Sequence, residues 1–476
     1  MWILALSVVA AMLIIYCTHI IISWRSSRDF GVLPPGSMGL PFIGETLQMV
    51  IPSYSLDLHP FIKKRIQRYG PIFRTRVLGR SVVMSADPDF NNYIVQQEGK
   101  SVGIWIGPLS VFITEGNEAQ ILGSDFLHRY VRSITLSHMG AESIRHKLLP
   151  QLEDNIGQVL HNWSNQESVE LKQATSMMNF HFFAKYLFGY DAEKLSEASR
   201  IAEKLFSGFS DGTLSLPFNI PGTRYHEFLK EAKKAFTTIK STLEERRASP
   251  NHQGDFFDEA ISDIGTKNIL TEDTVSSFTL GITFASVVST SSIMTLMFKF
   301  LSEYPSVEKE LIVEHEEILN RRNKSSYSLT WDEYKSMNFT QQVINEALRF
   351  SVLLPALFRV ALEDIQVKEY TIPAGWIIMA VTPALHMDPK IFEDPVTFNP
   401  WRWKDIDSYT VSKFFRPFGM GTRQCPGAEL ARAYVATFLH VLVTKYRWKK
   451  IKGGDVVRTP ILAFRDGFHI KVWKEG

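Results

Sequence analysis

Residues 418–427 read Phe418-Gly-Met-Gly-Thr-Arg-Gln-Cys425-Pro-Gly427. More rests on this stretch than on any other in the chain. A cysteine stands among glycines, and a long helical pattern, Ala428–Tyr446, begins directly after it. Pro426 suits a first helical position, where no amide donor is needed. Backbone amides and the positive end of that helix favour a thiolate over a thiol. Gly421 and Gly427 let the backbone approach a flat ligand closely. Arg423 offers a cation to an anionic group on such a ligand, and Phe418 is placed to keep water from the sulfur. For an isolated cysteine, the ordinary reading is a buried structural residue beside a glycine-rich turn.

The whole segment argues otherwise. A sheltered thiolate of this kind is a good axial ligand for haem iron, and its electron donation favours O–O cleavage. Phe418, Gly421, Arg423, Cys425 and Gly427 fit F-x-x-G-x-R-x-C-x-G at every fixed position. In this the chain resembles the cytochrome P450 family of haem-thiolate monooxygenases, and within it the plant branch that oxidises sterols, triterpenoids and brassinosteroids. The resemblance runs from Leu33-Pro34-Pro35-Gly36 to the last strands. It implies a mainly α fold with small β-sheets and haem b (iron protoporphyrin IX) ligated by Cys425. It also implies O2 as co-substrate, with NADPH-derived electrons delivered by the NADPH–cytochrome P450 reductase.

Three further constellations gain meaning from the resemblance. Glu346-Ala-Leu-Arg349 places an acid and a guanidinium three residues apart on one helical face. Alone, that spacing usually marks a solvated pair. Phe398-Asn-Pro-Trp-Arg402-Trp403 resembles the family's arginine-bearing segment, which implies that Arg402 joins Glu346 and Arg349 in one ion network supporting the cysteine loop. His128 and Arg132 stand four apart in FLHRYVRSI, and both are candidates for the haem propionates. Two exposed basic residues on a helix are the competing reading.

The long pattern Glu272–Leu301 is expected to cross the oxygen side of the haem. Relatives show A-G-x-D/E-T-T there, whereas this chain reads Ala285-Ser-Val-Val288-Ser289-Thr290. The acid of the usual proton relay is replaced by Val288. Ser289 and Thr290 are the remaining candidates for proton handling. Three explanations stay open: the two hydroxyls and ordered water suffice, the substrate supplies a hydroxyl, or the enzyme is impaired or bypasses O2 protonation. Phe284, Ala285, Val288, Leu354, Ala356, Leu357, Ile461 and Leu462 are candidates for lining the substrate pocket. Their apolar character suits a rigid hydrocarbon skeleton. The expected reaction is insertion of one oxygen into a C–H bond of a sterol or triterpenoid, with multi-step sterol side-chain cleavage as one version. An O2-independent haem-thiolate isomerase or dehydratase, and a non-catalytic haem protein, remain as alternatives.

Composition sets the outer bounds. Among 476 residues, Lys+Arg is 52 and Asp+Glu 50, which argues against a broad nucleic-acid footprint. Two cysteines exclude both a disulfide framework and a thiolate-rich zinc site. Trp2 to Trp24 carries no charged residue, and Arg25 and Arg28 follow. This predicts a transmembrane anchor over residues 1–24 with the body facing the cytoplasm at the endoplasmic reticulum. A proline-rich linker over 25–44 and a haem-binding catalytic domain over 45–476 complete the expected organisation. A cleaved signal peptide competes for the first segment but lacks a basic start and a cleavage site.

Helical patterns are expected at Ile201–Gly208, Tyr225–Arg247, Glu272–Leu301, Val307–Arg321 and Trp331–Arg349. Short strands are expected at Ile72–Val77, Ser81–Ser85, Ile365–Val367, Tyr370–Ile372 and Phe468–Val472. Thr213–Thr223 reads as a loop, either membrane-dipping or buried. Gly208-Phe-Ser210-Asp-Gly212 matches the nucleophile-elbow spacing but lacks the strand before it and the helix after it. Glu314-His315-Glu316 lacks the second histidine of a zinc helix and reads as a solvated face. No nucleotide-binding glycine motif occurs, so the electrons come from a separate protein.

Overall fold

A computed structural model describes residues 7, 10–18, 31–105, 125–189, 201, 204, 219–249, 254–267, 270–322, 328–351, 354–458 and 462–475. The helices that build the body are α1 (Pro60–Tyr69), α2 (Pro88–Gln96), α3 (Asp125–Met139), α4 (Leu149–Ser164), α5 (Leu171–Phe188) and α6 (Arg224–Ala248). They continue with α7 (Glu272–Glu303), α8 (Pro305–Arg321), α9 (Trp331–Ser336), α10 (Asn338–Phe350) and α11 (Ala428–Lys445).

The strands are β1 (Ile72–Val77), β2 (Arg80–Ser85), β3 (Val102–Ile104), β4 (Val169–Glu170), β5 (Leu357–Ala361), β6 (Ile365–Val367), β7 (Tyr370–Ile372) and β8 (Ile377–Ala380). Near the carboxy terminus follow β9 (Tyr446–Gly453), β10 (Val456–Arg458), β11 (Leu462–Phe464) and β12 (Phe468–Lys474). Five of them form one sheet in the order β1-β2-β8-β5-β3, and the others pair in small sheets. This is the mainly helical architecture with small sheets that the pattern predicts.

Local chemistry explains where the helices begin. Thr271 caps α7 by accepting from Thr274 N at 3.1 Å, and Glu272 and Asp273 complement the helix dipole. Glu170 caps α5 by accepting from Gln173 N at 2.7 Å, and Gly189 ends it in a left-handed conformation. The single helix expected over Trp331–Arg349 is two. Thr330 and Glu333 form a capping box, but Met337 leaves helical geometry at ψ 69° and α10 starts afresh.

α7 is the axis of the molecule. From Ile293 to Leu301 its apolar side chains are buried on every side, against Phe350, Phe398 and α11. Phe300 stacks on Phe398 with ring centroids 4.1 Å apart. By length and composition α7 alone among the described helices qualifies to span a membrane, but two-thirds of its most apolar window is buried inside the protein. It is therefore a core helix. Residues 10–18 of the expected anchor are helical, with Met12 to Tyr16 exposed, and most of the rest of Trp2–Trp24 lies outside the described residues. Ile201–Gly208, apart from residues 201 and 204, also lies outside them. So do Gly208–Gly212 and most of Thr213–Thr223.

Candidate functional site

The Cys425 loop is shaped by glycines with little freedom to change. Gly421 has φ 73°, and a Cβ there would sit 2.2 Å from Val95 Cγ1 on α2. Cys425 N donates to Phe418 O at 2.9 Å and closes the loop. α11 starts at Ala428, so Pro426 lies in the turn ahead of it and not in its first position. Neither cysteine is in a disulfide, and Cys425 is exposed. Surrounding protein still pushes its thiol above the ordinary value by desolvation. The Gly427 amide and the Arg132 charge oppose that push.

Guanidiniums gather here from α3, β5 and the loop itself. Arg132 on α3 donates to Gln424 O. Arg423 Nη2 donates to Asp125 Oδ1 at 2.7 Å, and its Nε lies 3.8 Å from Glu98 Oε2. Arg359, buried on β5, clasps Glu98 through Nε and Nη2. Thr422 Oγ1 donates to Glu98 Oε2 at 3.2 Å. His128 is half-buried among them. Burial first, then Arg423 and Arg132, lowers its pKa to about 4. Three guanidiniums thus face two carboxylates and a neutral imidazole, and the cluster keeps a surplus of positive charge. Arg359 was not singled out in the sequence. A lone arginine in the apolar run Leu357-Phe-Arg-Val-Ala361 was the available signal.

Glu346, Arg349 and Arg402 come together in one hydrogen-bonded group. Arg349 Nη2 and Nε donate to Glu346 at 2.8 and 3.0 Å, and both side chains are fully buried. Arg402 Nε donates to the same carboxylate at 3.2 Å. Trp403 Nε1 and Asn399 N add donors at 2.9 and 3.0 Å. Arg349 Nη1 donates to His386 O at 2.9 Å and to Pro395 O at 2.6 Å. His386, buried, accepts Arg416 N on its Nε2 at 3.0 Å. The network therefore reaches, through His386, the chain that leads into the cysteine loop. Every lone pair of Glu346 is used, which is the condition for a buried pair to be tolerated.

The first half of α7 has one open face. Ala285 is exposed, and Gly281, Ile282, Ser286 and Ser289 are partly so, whereas Phe284, Val287 and Val288 are buried. α3 ties this helix to the cysteine loop: Tyr130 meets Phe278 edge-on at 6.1 Å, and Arg132 reaches Gln424. Ser289 Oγ donates to Ala285 O at 2.6 Å on the open face. Thr290 is buried, since neighbouring helical residues point about 100° apart. The Val288 carbonyl accepts from Lys172 of α5, and Phe284 packs on Phe228 of α6 at 6.5 Å. Ala356 is fully buried, Leu354 is exposed, and Leu357 and Leu462 are half-buried, with Leu357 Cδ2 in van der Waals reach of a Cβ built on Gly419. Ile461 lies outside the described residues. Of the pocket candidates, Ala285 is the one on the open face of α7.

Two other findings were not foreseen. Glu314-His315-Glu316 is not a solvated face: His315 is fully buried, 3.0 Å from His440, and Glu314 accepts from Thr340. Lys172 on α5 is part-buried, with its ammonium against the back of α7. Among the described residues no group of three or more His, Cys, Asp or Glu is arranged to hold a metal.

The Cytochrome P450 family model matches residues 34–466. Cucurbitadienol 11-hydroxylase of Siraitia grosvenorii is 48% identical, covering 99% of both chains. Beta-amyrin 16-alpha-hydroxylase of Maesa lanceolata is 47% identical over the whole of both. Retinoic acid-bound cyanobacterial CYP120A1 has a TM-score of 0.81 at 24% identity, covering 94% of this chain and 100% of that one; it shares the fold.

Proposed function

The chain belongs to the cytochrome P450 family, and from this we propose that it hydroxylates a triterpenoid, with Cys425 as the sulfur ligand of its haem. It is a monooxygenase that uses O2 and electrons from a reductase. The observation that carries the substrate class is end-to-end identity near one half with two hydroxylases named for triterpenoids. The open face of α7 at Ala285, lined by uncharged side chains, supports a broad hydrocarbon guest. The relatives' names do not favour the isomerase or non-catalytic readings.

The residues present fit a haem. Cys425 is exposed on its loop, and Gly421 keeps the loop close to α2. The surplus guanidinium charge of Arg132, Arg359 and Arg423 suits two propionates. A metal cation held beside the sulfur would supply charge that stabilises the thiolate, offsetting the desolvation that pushes the thiol up. When bound, the haem supplies oxygen activation. The chain's own part is to hold the sulfur through the Glu346 network, clamp the propionates, and orient the guest against α7. Ser289 presents a hydroxyl on that face.

The finer reading is haem b, NADPH as electron source through the NADPH–cytochrome P450 reductase, and a single-pass anchor over 1–24. Residues 25–44 form the linker, and the body 45–476 faces the cytoplasm at the endoplasmic reticulum. Co-expression of the full chain with that reductase in hosts making cucurbitadienol or beta-amyrin tests it. The expected result is a product carrying one added oxygen. Absence of any new triterpenoid, with a host sterol oxidised instead, moves the substrate to the sterols.

A further inference from the structure

The back of α7, away from its open face, carries a polar seam that an apolar helix contact does not require. Lys172 lies in the first turn of α5 and is part-buried, with its ammonium turned onto α7. Its Nζ donates to Val288 O at 3.3 Å, Ser291 Oγ at 2.9 Å and Ser292 Oγ at 2.5 Å. Ser292 Oγ in turn donates to Val288 O at 2.7 Å. Two turns along α5, Asn179 Nδ2 donates to Val287 O at 3.4 Å, while its buried Oδ1 has no partner among the described residues. Ser176, buried, lies between them. Residues 172, 176 and 179 follow helical spacing, so lysine, hydroxyl and amide form one stripe against Val287–Ser292. A buried acceptor without a partner calls for a water.

Desolvating an ammonium is costly unless it is paired and hydrogen-bonded, and the acceptors around the Lys172 amine are neutral. Burial lowers the Lys172 pKa to about 7, and the charge of Glu170, at the start of the same helix, opposes this. The α7 groups touching the amine are uncharged hydroxyls and a carbonyl. The seam also meets the open face, because Ser292 is only partly buried and lies one turn from Ser289.

We propose that Lys172 is the proton-supplying residue of this monooxygenase, in place of the carboxylate absent at position 288, and that its protons reach the open face of α7 through Ser292 and water. Hydroxylation of one C–H bond consumes one O2, two electrons and two protons and releases one water. The electrons come from the reductase. For each proton, an N–H bond of the ammonium breaks as an O–H bond forms on Ser292, whose own proton passes to water on the open face. The amine recovers its proton from solvent on the Glu170 side. The inference rests on the monooxygenase reaction and not on the choice of triterpenoid.

Lys172→Met and Lys172→Arg in the full, haem-loaded chain test it. With substrate, Lys172→Met keeps the carbon monoxide spectrum but forms on the order of 10-fold less product per O2 consumed, releasing hydrogen peroxide instead. The fall in coupling of the parent as the pH rises through neutrality disappears in this variant. Lys172→Arg, permanently charged, does not restore coupling. Independently of turnover, NMR titration of lysines labelled at 13Cε gives a resonance with a midpoint near neutrality. That resonance is missing from Lys172→Arg, so its assignment does not depend on the methionine variant folding. Unchanged coupling in Lys172→Met, full recovery in Lys172→Arg, or no lysine titrating near neutrality overturns the proposal. If the parent oxidises no triterpenoid, the substrate reading fails while the titration still decides the role of Lys172.

Discussion

Arg359 and Gly421 show how single residues set the site. Arg359 is buried and held by Glu98, so its guanidinium is already desolvated and aimed. Arg359→Leu is expected to lose a charge-assisted contact of about 2 kcal/mol, roughly 30-fold in haem retention. The rate of haem loss to an excess of a haem acceptor measures this, and an unchanged rate removes Arg359 from the cradle. Gly421→Ala places a Cβ against Val95 at positive φ. It is expected to lower stability by about 1–2 kcal/mol for the backbone alone. Val95→Ala should restore only the steric part, as judged by thermal unfolding of the double variant. At this scale the sequence was informative where residue type is rare at its position. Cys425, Glu346, Arg349, His128 and Arg132 are marked as candidates by motif and spacing. Arg359, Lys172 and His386 are not, because their roles come from burial and from partners distant in sequence.

Between α10, the turn at Pro400–Lys404 and the loop ahead of α11, one carboxylate organises three segments. Glu346 receives Arg349, Arg402, Trp403 and the Asn399 amide, and His386 passes the arrangement on to Arg416. Glu346→Gln leaves two guanidiniums without their anion. The expected cost is about 3–5 kcal/mol. It should appear as protein that accumulates without haem, and a variant with normal haem content and thermal stability would contradict it. Helix positions were mostly legible, because apolar periodicity and caps act locally: Thr271, Glu170 and Thr330 each start a helix where a side-chain acceptor is available. The break at Met337 was not legible. Both flanking segments are helical in pattern, and the break follows from the packing of α9 and α10 on different neighbours. The burial of His315 is similar: it depends on α8 lying against α11, which no window along α8 reveals.

Across the molecule, α7 sets which groups see solvent, and the buried histidines follow from the helices packed around it. Burial holds His315 at about 4, His386 at about 3 and His440 at about 2, all below the ordinary histidine value near 6.5. Below that value the unfolded chain binds protons that the folded chain refuses, so acid favours unfolding. Stability is expected to be full above about pH 6.5 and to fall as the pH drops toward about 4, by up to about 1.4 kcal/mol per unit for each histidine. Urea midpoints measured across that window check this, and a flat profile contradicts it. The mainly helical class was legible from the whole chain, since long 3.6-residue patterns outnumber short alternating ones. The open face of α7 was not, because it is defined by what fails to pack against it. The most direct test of the whole account is the carbon monoxide difference spectrum of the reduced protein, recorded for the parent and for Cys425→Ser with haem supplied in excess. The parent is expected to show the Soret band at the thiolate position and the variant to lack it. The same band in both, or in neither, would contradict ligation through Cys425.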